Sequence, residues 1–183
     1  MKDKALRAIA ELGAVSEAFD YAQIDAAVKA IMDSNRIALY GVGREGLQIR
    51  GLAMRLFHLG CNASVVGDMT TPALSQGDLL VVSAGPGHFS TVEALMRTAA
   101  AAGARTLCVT ASPEASLPRL ADIRFCIPAQ TMADDQGDTV SVLPMGSLYE
   151  GAQYVLFEIL ILALRDAMGL TTEDMRKNHT NLE

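Results

Sequence analysis

The feature that most constrains this chain is a set of short apolar runs that end in glycine and pass at once into helical patterns. Arg36 to Tyr40 is one such run. It closes on Gly41-Val42-Gly43-Arg44-Glu45-Gly46, and the stretch 44–59 then places Leu47, Leu52, Leu56 and Leu59 at helical spacing. Asp78 to Ser83 behaves alike, closing on Ala84-Gly85-Pro86-Gly87 before a helical stretch over 89–102 that stops at Gly103. With 63–66, 105–110 and 123–127 these make five strand candidates separated by helical segments. Strands alternating with helices imply an α/β fold with a doubly wound, parallel, five-stranded sheet.

Residues 4–19 and 21–33 read as amphipathic helices, with Leu6, Ile9, Leu12 and Phe19 on one apolar face and Ile24, Val28 and Ile31 on the other. Residues 128–145 lack a period and carry Asp134-Asp135-Gln136-Gly137-Asp138, which reads as a solvated loop. A long helix follows over about 147–168 and stops at Gly169. Thr171-Thr172-Glu173-Asp174 supplies a cap and first-turn acids for a last short helix. The organisation expected is one domain over 1–183: N-terminal helices in 1–35, the parallel α/β core in 36–127, and C-terminal helices in 146–183.

Glycine at a strand end lets the backbone turn tightly and approach a ligand, and the helix that follows offers unpaired N–H groups to an anion. Ligands of open parallel sheets sit beyond the carboxyl ends of the strands, where the strand order reverses. The two glycine turns, on the first and third strands, would flank such a crevice. Gly41, Gly43, Arg44, Glu45, Gly85, Gly87, His88, Ser90 and Thr91 are therefore its candidate substrate-binding residues. The first turn is also a literal G-x-G-x-x-G with Asp68 downstream, as a dinucleotide site requires. A nicotinamide enzyme usually carries a further substrate domain, for which this chain has no room.

Composition excludes several classes. A net charge of −6 argues against nucleic acid, which calls for a basic stripe. No lysine lies between residues 30 and 176, so neither a Schiff-base lysine nor a phosphate-binding G-x-x-x-x-G-K-[ST] loop is expected there. Cys61, Cys108 and Cys126 are too widely spaced for a zinc site, and His58, His88 and His179 share no ligand spacing, so no metal and no cofactor is expected. Met32, Met54, Met69, Met96, Met145 and Met168 read as core filler. The start, Met1-Lys2-Asp3-Lys4, lacks the apolar run of a signal peptide, and Val155–Leu164 is too short to span a bilayer, so a cytoplasmic protein with no membrane partner is expected. With half the residues hydrophobic and apolar side chains on nearly all faces of 155–164, that helix is expected in a subunit interface as well as in the core.

The C-terminal third carries a resemblance. Pro144-Met145-Gly146-Ser147-Leu148-Tyr149-Glu150 at the head of the long helix, and Glu173 through Arg176-Lys177-Asn178-His179-Thr180-Asn181-Leu182-Glu183, resemble the SIS-domain (sugar isomerase) family, and within it the 6-phospho-3-hexuloisomerases. Gly41-Val42-Gly43-Arg44, Ala53 to Gly60 and Val66 to Pro72 fit the same pattern. The resemblance implies a five-stranded sheet in flavodoxin-like order, a homo-oligomer (tetramer or dimer), and interconversion of 3-hexulose 6-phosphate and fructose 6-phosphate. It places the catalytic base on Glu150, suggests His179 as its partner, reaching a neighbouring subunit's pocket, and adds Ser147 to the substrate-binding residues. Such a shift needs a base that moves a proton between adjacent carbons through an enediolate.

The family's phosphate-binding hydroxyls are missing. Glu45 stands at the serine position of the first turn, and Ala84, Pro86 and Phe89 replace two serines and a threonine of the second. Pro86 also removes a backbone N–H. A carboxylate about 4 Å from a phosphate charge costs roughly 4 kcal/mol at an effective dielectric near 20. Three readings follow. The sugar lacks a phosphate, with Glu45 accepting from its hydroxyls and Phe89 filling the vacated volume. Or an anion binds through Arg44, His88, Ser90 and Thr91, with Glu45 turned toward Arg50. Or the protein binds a sugar ligand without turning it over.

Overall fold

A computed structural model describes residues 1–136 and 140–182. Gly137 and Asp138 of the expected solvated loop, and Glu183, lie outside the described residues. The elements in chain order are α1 (Lys2–Ala18), α2 (Ala22–Met32), β1 (Ile37–Gly41), α3 (Gly43–His58), β2 (Ala63–Val65), β3 (Leu79–Ser83), α4 (Ser90–Ala101), β4 (Arg105–Thr110), β5 (Ile123–Cys126), α5 (Ser147–Ala167) and α6 (Thr172–Lys177). All strand pairs are parallel and the order is β2-β1-β3-β4-β5. This is the doubly wound sheet in flavodoxin-like order, with its switch point between β1 and β3.

The pleat sends alternate residues to opposite faces. Leu39, Val81, Val109 and Phe125 enter a core shared with α1, α2, α3 and α5, whereas Ala38, Leu80, Val82 and Cys108 pack with Val92 and Met96 of α4. Helices do not follow every strand. Residues 66–78 join β2 to β3 without one, and a single 3₁₀ turn at Pro118–Leu120 lies between β4 and β5. The second face is therefore covered chiefly by α4.

α5 runs through the first layer against α1, α2 and α3. It has 21 residues, enough by length and composition to cross a membrane, and half of its most apolar window is buried inside the protein. The helix matches the span of about 147–168 read from sequence, and the apolar stretch 155–164 is its central part. Gly169, at φ +66°, ends it in the left-handed conformation. Thr171 and Asp174 form a reciprocal capping box on α6.

Several apolar assignments differ. Leu6 and Ile9 on α1 and Leu47 on α3 are exposed, while Val15, Ile49, Leu52 and Leu56 are buried. Met32, Met54, Met69 and Met145 are exposed as well; of the six methionines named above only Met96 is buried in the core. Periodicity marks which residues share a face, not whether that face meets the core. Cys108 is buried, and desolvation pushes its thiol up to about 12, whereas Cys61 and Cys126 are half-buried. The described residues of 128–145 are tied down more than a solvated loop would be. Asp134 Oδ1 accepts from the Thr131 backbone and hydroxyl at 2.7 and 2.8 Å, Asp135 accepts from Met145 N at 3.0 Å, and Glu11 of α1 holds Ser141 and Val142.

Candidate active site

A cavity of about 300 Å³ opens beyond the carboxyl ends of β1 and β3. Its floor and walls come from three places: Gly43, Arg44 and Glu45 of the first glycine turn, Pro86 and Phe89 of the second, and Tyr149 with Glu150 at the head of α5. Thr131 and Met132 close it from the 128–145 segment. The two turns and Glu150 thus share one hollow at the switch point.

The glycines divide the labour. Gly43, at φ +55°, takes a conformation that side chains avoid and lines the cavity. Gly41 and Gly46 face each other instead. A Cβ on Gly46 would lie 2.4 Å from the Gly41 carbonyl oxygen, so this pair seats α3 on β1. Neither Gly41 nor Gly87 lines the cavity. Gly85 leaves room for the Tyr149 ring and Glu45, whose atoms would lie 2.7 and 3.0 Å from a Cβ placed there.

Glu45 occupies the third position of α3, where a carboxylate suits the helix dipole. It reaches across to the sheet. Its Oε2 accepts from the Ser83 hydroxyl at 2.6 Å and from Gly85 N at 2.9 Å, and the residue is 8% exposed. Burial raises its pKa, and these two hydrogen bonds only partly oppose the shift. Ser83 also contacts Tyr149 Oη at 3.3 Å and accepts from Gln153 Nε2 at 2.8 Å. A serine has one proton to give. With that proton on the carboxylate, the Tyr149 hydroxyl donates to Ser83. Desolvation, then the Glu45 charge, holds the buried Tyr149 phenol well above its ordinary value, so it stays a neutral donor. Gln153 Oε1 is buried without a hydrogen-bond partner among the described residues.

Glu150 sits one turn into α5 with its side chain 15% exposed. Arg44 Nε lies 3.1 Å from its Oε2, while the other guanidinium nitrogens donate to Ser147 Oγ at 2.9 Å and to the Met145 carbonyl. Met145 at φ +55° and Gly146 at φ +79° are both left-handed, a conformation costly for the methionine and natural for the glycine, which sharpens the entry into α5. Burial raises the Glu150 pKa, the Arg44 charge lowers it, and the Glu45 charge raises it again. The result is a carboxylate that gives up its proton less readily than an exposed one, beside a fixed cation: a fitting general base.

Not every expected residue converges. His88 pairs loosely with Glu93, Nδ1 to Oε2 at 3.7 Å, and Ser90 and Thr91 are exposed in the first turn of α4; none of the three lines the cavity. Glu45 does not turn to Arg50, which lies 3.7 Å from Asp68 instead. His179 stacks on His58 with ring centroids 5.1 Å apart, in a separate hollow bordered by Ile161, Leu162 and Arg165. Those residues stand roughly 17–22 Å along α5 from Glu150, at 1.5 Å per residue. Within one chain, then, His179 does not meet Glu150. Sequence reading missed Ser83, Thr131, Tyr149 and Gln153. The position of Ser83 at the last residue of β3, and the four-residue spacing of Tyr149 and Gln153 on one helix face, were the available signals.

A cavity at the switch point of a flavodoxin-order sheet, lined by a carboxylate and an arginine, defines a small-molecule site of the doubly wound class. The SIS domain profile matches residues 30–152, and the chain belongs to that family. It is 39% identical over 164 residues to a protein of Mycobacterium gastri named 3-hexulose-6-phosphate isomerase, covering 90% of this chain and 82% of that one. A Bacillus subtilis protein of the same name is 36% identical over 156 residues, covering 84% and 83%. Among solved structures, one from Methanococcus jannaschii, for which that same molecular function was inferred, superposes with a TM-score of 0.85 at 22% identity, covering 99% of each chain. That likeness speaks for the fold.

Proposed function

We propose that this chain is an intramolecular isomerase of the sugar-phosphate isomerase class, shifting a carbonyl between adjacent carbons of a ketose or its phosphate. One observation carries the reading: Glu150, desolvated and held by Arg44, shares a cavity with both glycine turns at the switch point. The relatives named 3-hexulose-6-phosphate isomerase, at 36% and 39% identity over most of the chain, support it.

In this mechanism the Glu150 carboxylate takes the proton from the carbon beside the carbonyl. The C–H pair becomes the C=C bond of an enediolate, and the former carbonyl oxygen takes up the charge. Arg44 lies next to Glu150 and stabilises that charge electrostatically. Return of the proton from Glu150 to the former carbonyl carbon, with the hydroxyl proton passing from the adjacent oxygen to the former carbonyl oxygen, leaves the carbonyl displaced by one position. Gly43 and Glu45 contact the sugar from the first turn, and Gly85 shapes the second. Ser147 acts by orienting Arg44. His179 serves as the partner acid only by reaching the cavity of another subunit.

The oligomer this requires is proposed to form through α3, α5 and α1. Met54, Phe57, Tyr154 and Leu162 are exposed on α3 and α5, as are Leu6 and Ile9 on α1. A single-domain homodimer or homotetramer in the cytoplasm is the corresponding reading. Incubation in deuterated water with a panel of phosphorylated and free ketoses tests the chemistry. Deuterium should enter the carbon next to the carbonyl and should fall by about 10²–10⁴-fold in Glu150→Gln, the usual worth of a general base. Undiminished exchange in that variant removes Glu150 from the reaction.

A further inference from the structure

The N-termini of α3 and α4 both point toward the place where β1 and β3 end, a location that ordinarily attracts an anion. The chain fills it with its own carboxylate. Glu45 Oε2 takes the Gly85 N–H and the Ser83 hydroxyl, so these donors of the second turn are already spent. The second-turn residues lining the cavity, Pro86 and Phe89, and Ala84 beside them replace none of those donors. Ala84 and Phe89 bring no polar side chain, and Pro86 has no N–H. Pro86 and Phe89 instead form an apolar wall of the cavity.

Charge points the same way. The ionisable acids and bases lining the cavity, apart from the Tyr149 phenol, are Arg44, Glu45 and Glu150, two carboxylates to one guanidinium. Arg44 is committed to Glu150, Ser147 and the Met145 carbonyl, and Arg50 lies by Asp68. Among the described residues, a dianion entering this corner would meet an excess of negative charge and no cation in the cavity lining other than the committed Arg44. A hydroxyl would meet an acceptor: Glu45 lines the cavity, and the hydrogen bonds described above engage only its Oε2.

We propose that Glu45 is a specificity-determining residue whose carboxylate occupies the anion position between the β1 and β3 turns, so that the end of the substrate lodged there is an uncharged polyol that donates a hydroxyl to Glu45. This rests on the cavity being the isomerase substrate site, and it sets the chain apart from relatives named for a phosphate ester.

The test titrates wild type, Glu45→Gln and Glu45→Ser with inorganic phosphate and with paired ketoses: D-fructose and D-fructose 6-phosphate, D-ribulose and D-ribulose 5-phosphate. Circular dichroism establishes that each variant folds; Glu45→Gln, nearly isosteric, carries the measurement should the serine variant not. Wild type is expected to bind at least one free ketose tenfold or more tighter than its phosphate. Phosphate affinity is expected to rise at least tenfold in the variants. Preference of wild type for the phosphate in each pair, binding of no free ketose, or phosphate affinity unchanged in the folded variants overturns the proposal. The phosphate titration does not involve Glu150 chemistry, so undiminished exchange in Glu150→Gln strikes the isomerase reading and leaves this measurement standing.

Discussion

Glu45 and Glu150 line one cavity, yet only Glu150 has a cation: Arg44 Nε stands 3.1 Å from its Oε2, whereas Glu45 is held by the Ser83 hydroxyl and Gly85 N. Desolvation raises both pKa values, and the Glu45 charge adds to the shift at Glu150. The Glu45 charge therefore acts on Glu150, and the Arg44 charge opposes it there.

Arg44→Gln removes the one charge that lowers the Glu150 pKa. A base must be ionised to act, so the acid limb of the exchange rate should move to higher pH in this variant. The pH profile of deuterium incorporation, compared with wild type, reads the shift. An unmoved limb would mean that Glu150 does not set it.

The stability of the protein should carry the same signature. A raised carboxylate pKa means the folded state holds its proton more tightly than the unfolded chain. That contribution is present below the ordinary value of 4.5 and is lost as pH rises through the folded value. Glu45→Gln should flatten this loss above 4.5, measured as urea midpoints across that range. Glu150 contributes with the same sign, so Glu45→Gln with Glu150→Gln should flatten it further. Glu11 and Asp174, held low by their hydrogen bonds, act below their ordinary values and stay out of that window.

Phe57 is 53% exposed and Tyr154 60% exposed, on the adjacent helices α3 and α5. Phe57→Glu should change the stability of an isolated chain by no more than about 0.5 kcal/mol, as surface substitutions usually do. Placed in an interface between copies, it should split the oligomer. Light scattering coupled to size exclusion distinguishes the outcomes, and a wild type that is already a monomer would refute the interface.

The sheet was legible in the sequence because every strand is a short apolar run closed by a turn, and the switch point follows from glycine at the ends of β1 and β3. Glu150 and Arg44 were legible through their motifs. The destination of Glu45 was not. Its place in the first turn of α3 was evident, but no spacing rule tells a carboxylate to cross to β3 rather than toward Arg50. Tyr149 and Gln153 were hidden for a related reason: on a helix as apolar as α5, polar groups that satisfy a buried serine look like ordinary spacing. Leu6, Ile9 and Leu47 misled because an apolar stripe for a partner has the same period as one for the core.

Gly46 offers the sharpest check on why the first turn reads as a dinucleotide motif. Its hypothetical Cβ would lie 2.4 Å from the carbonyl oxygen and 3.0 Å from the carbonyl carbon of Gly41, both backbone atoms that cannot swing aside. The third glycine of such a turn thus answers to helix–strand packing, a need shared by any close strand-to-helix turn. Gly46→Ala should push α3 off β1 and destabilise the fold by about 1–3 kcal/mol, the usual range for overpacking. Because α3 carries Arg44 and Glu45, the same shift should lower ketose exchange even at temperatures where the variant is fully folded. Gly51→Ala, on the exposed side of the same helix with nothing within 4 Å of its Cβ, should leave exchange unchanged and gain up to about 1 kcal/mol from helix propensity. Equal stability in the two variants, read from urea unfolding, would show that the Gly41–Gly46 contact does not hold the turn.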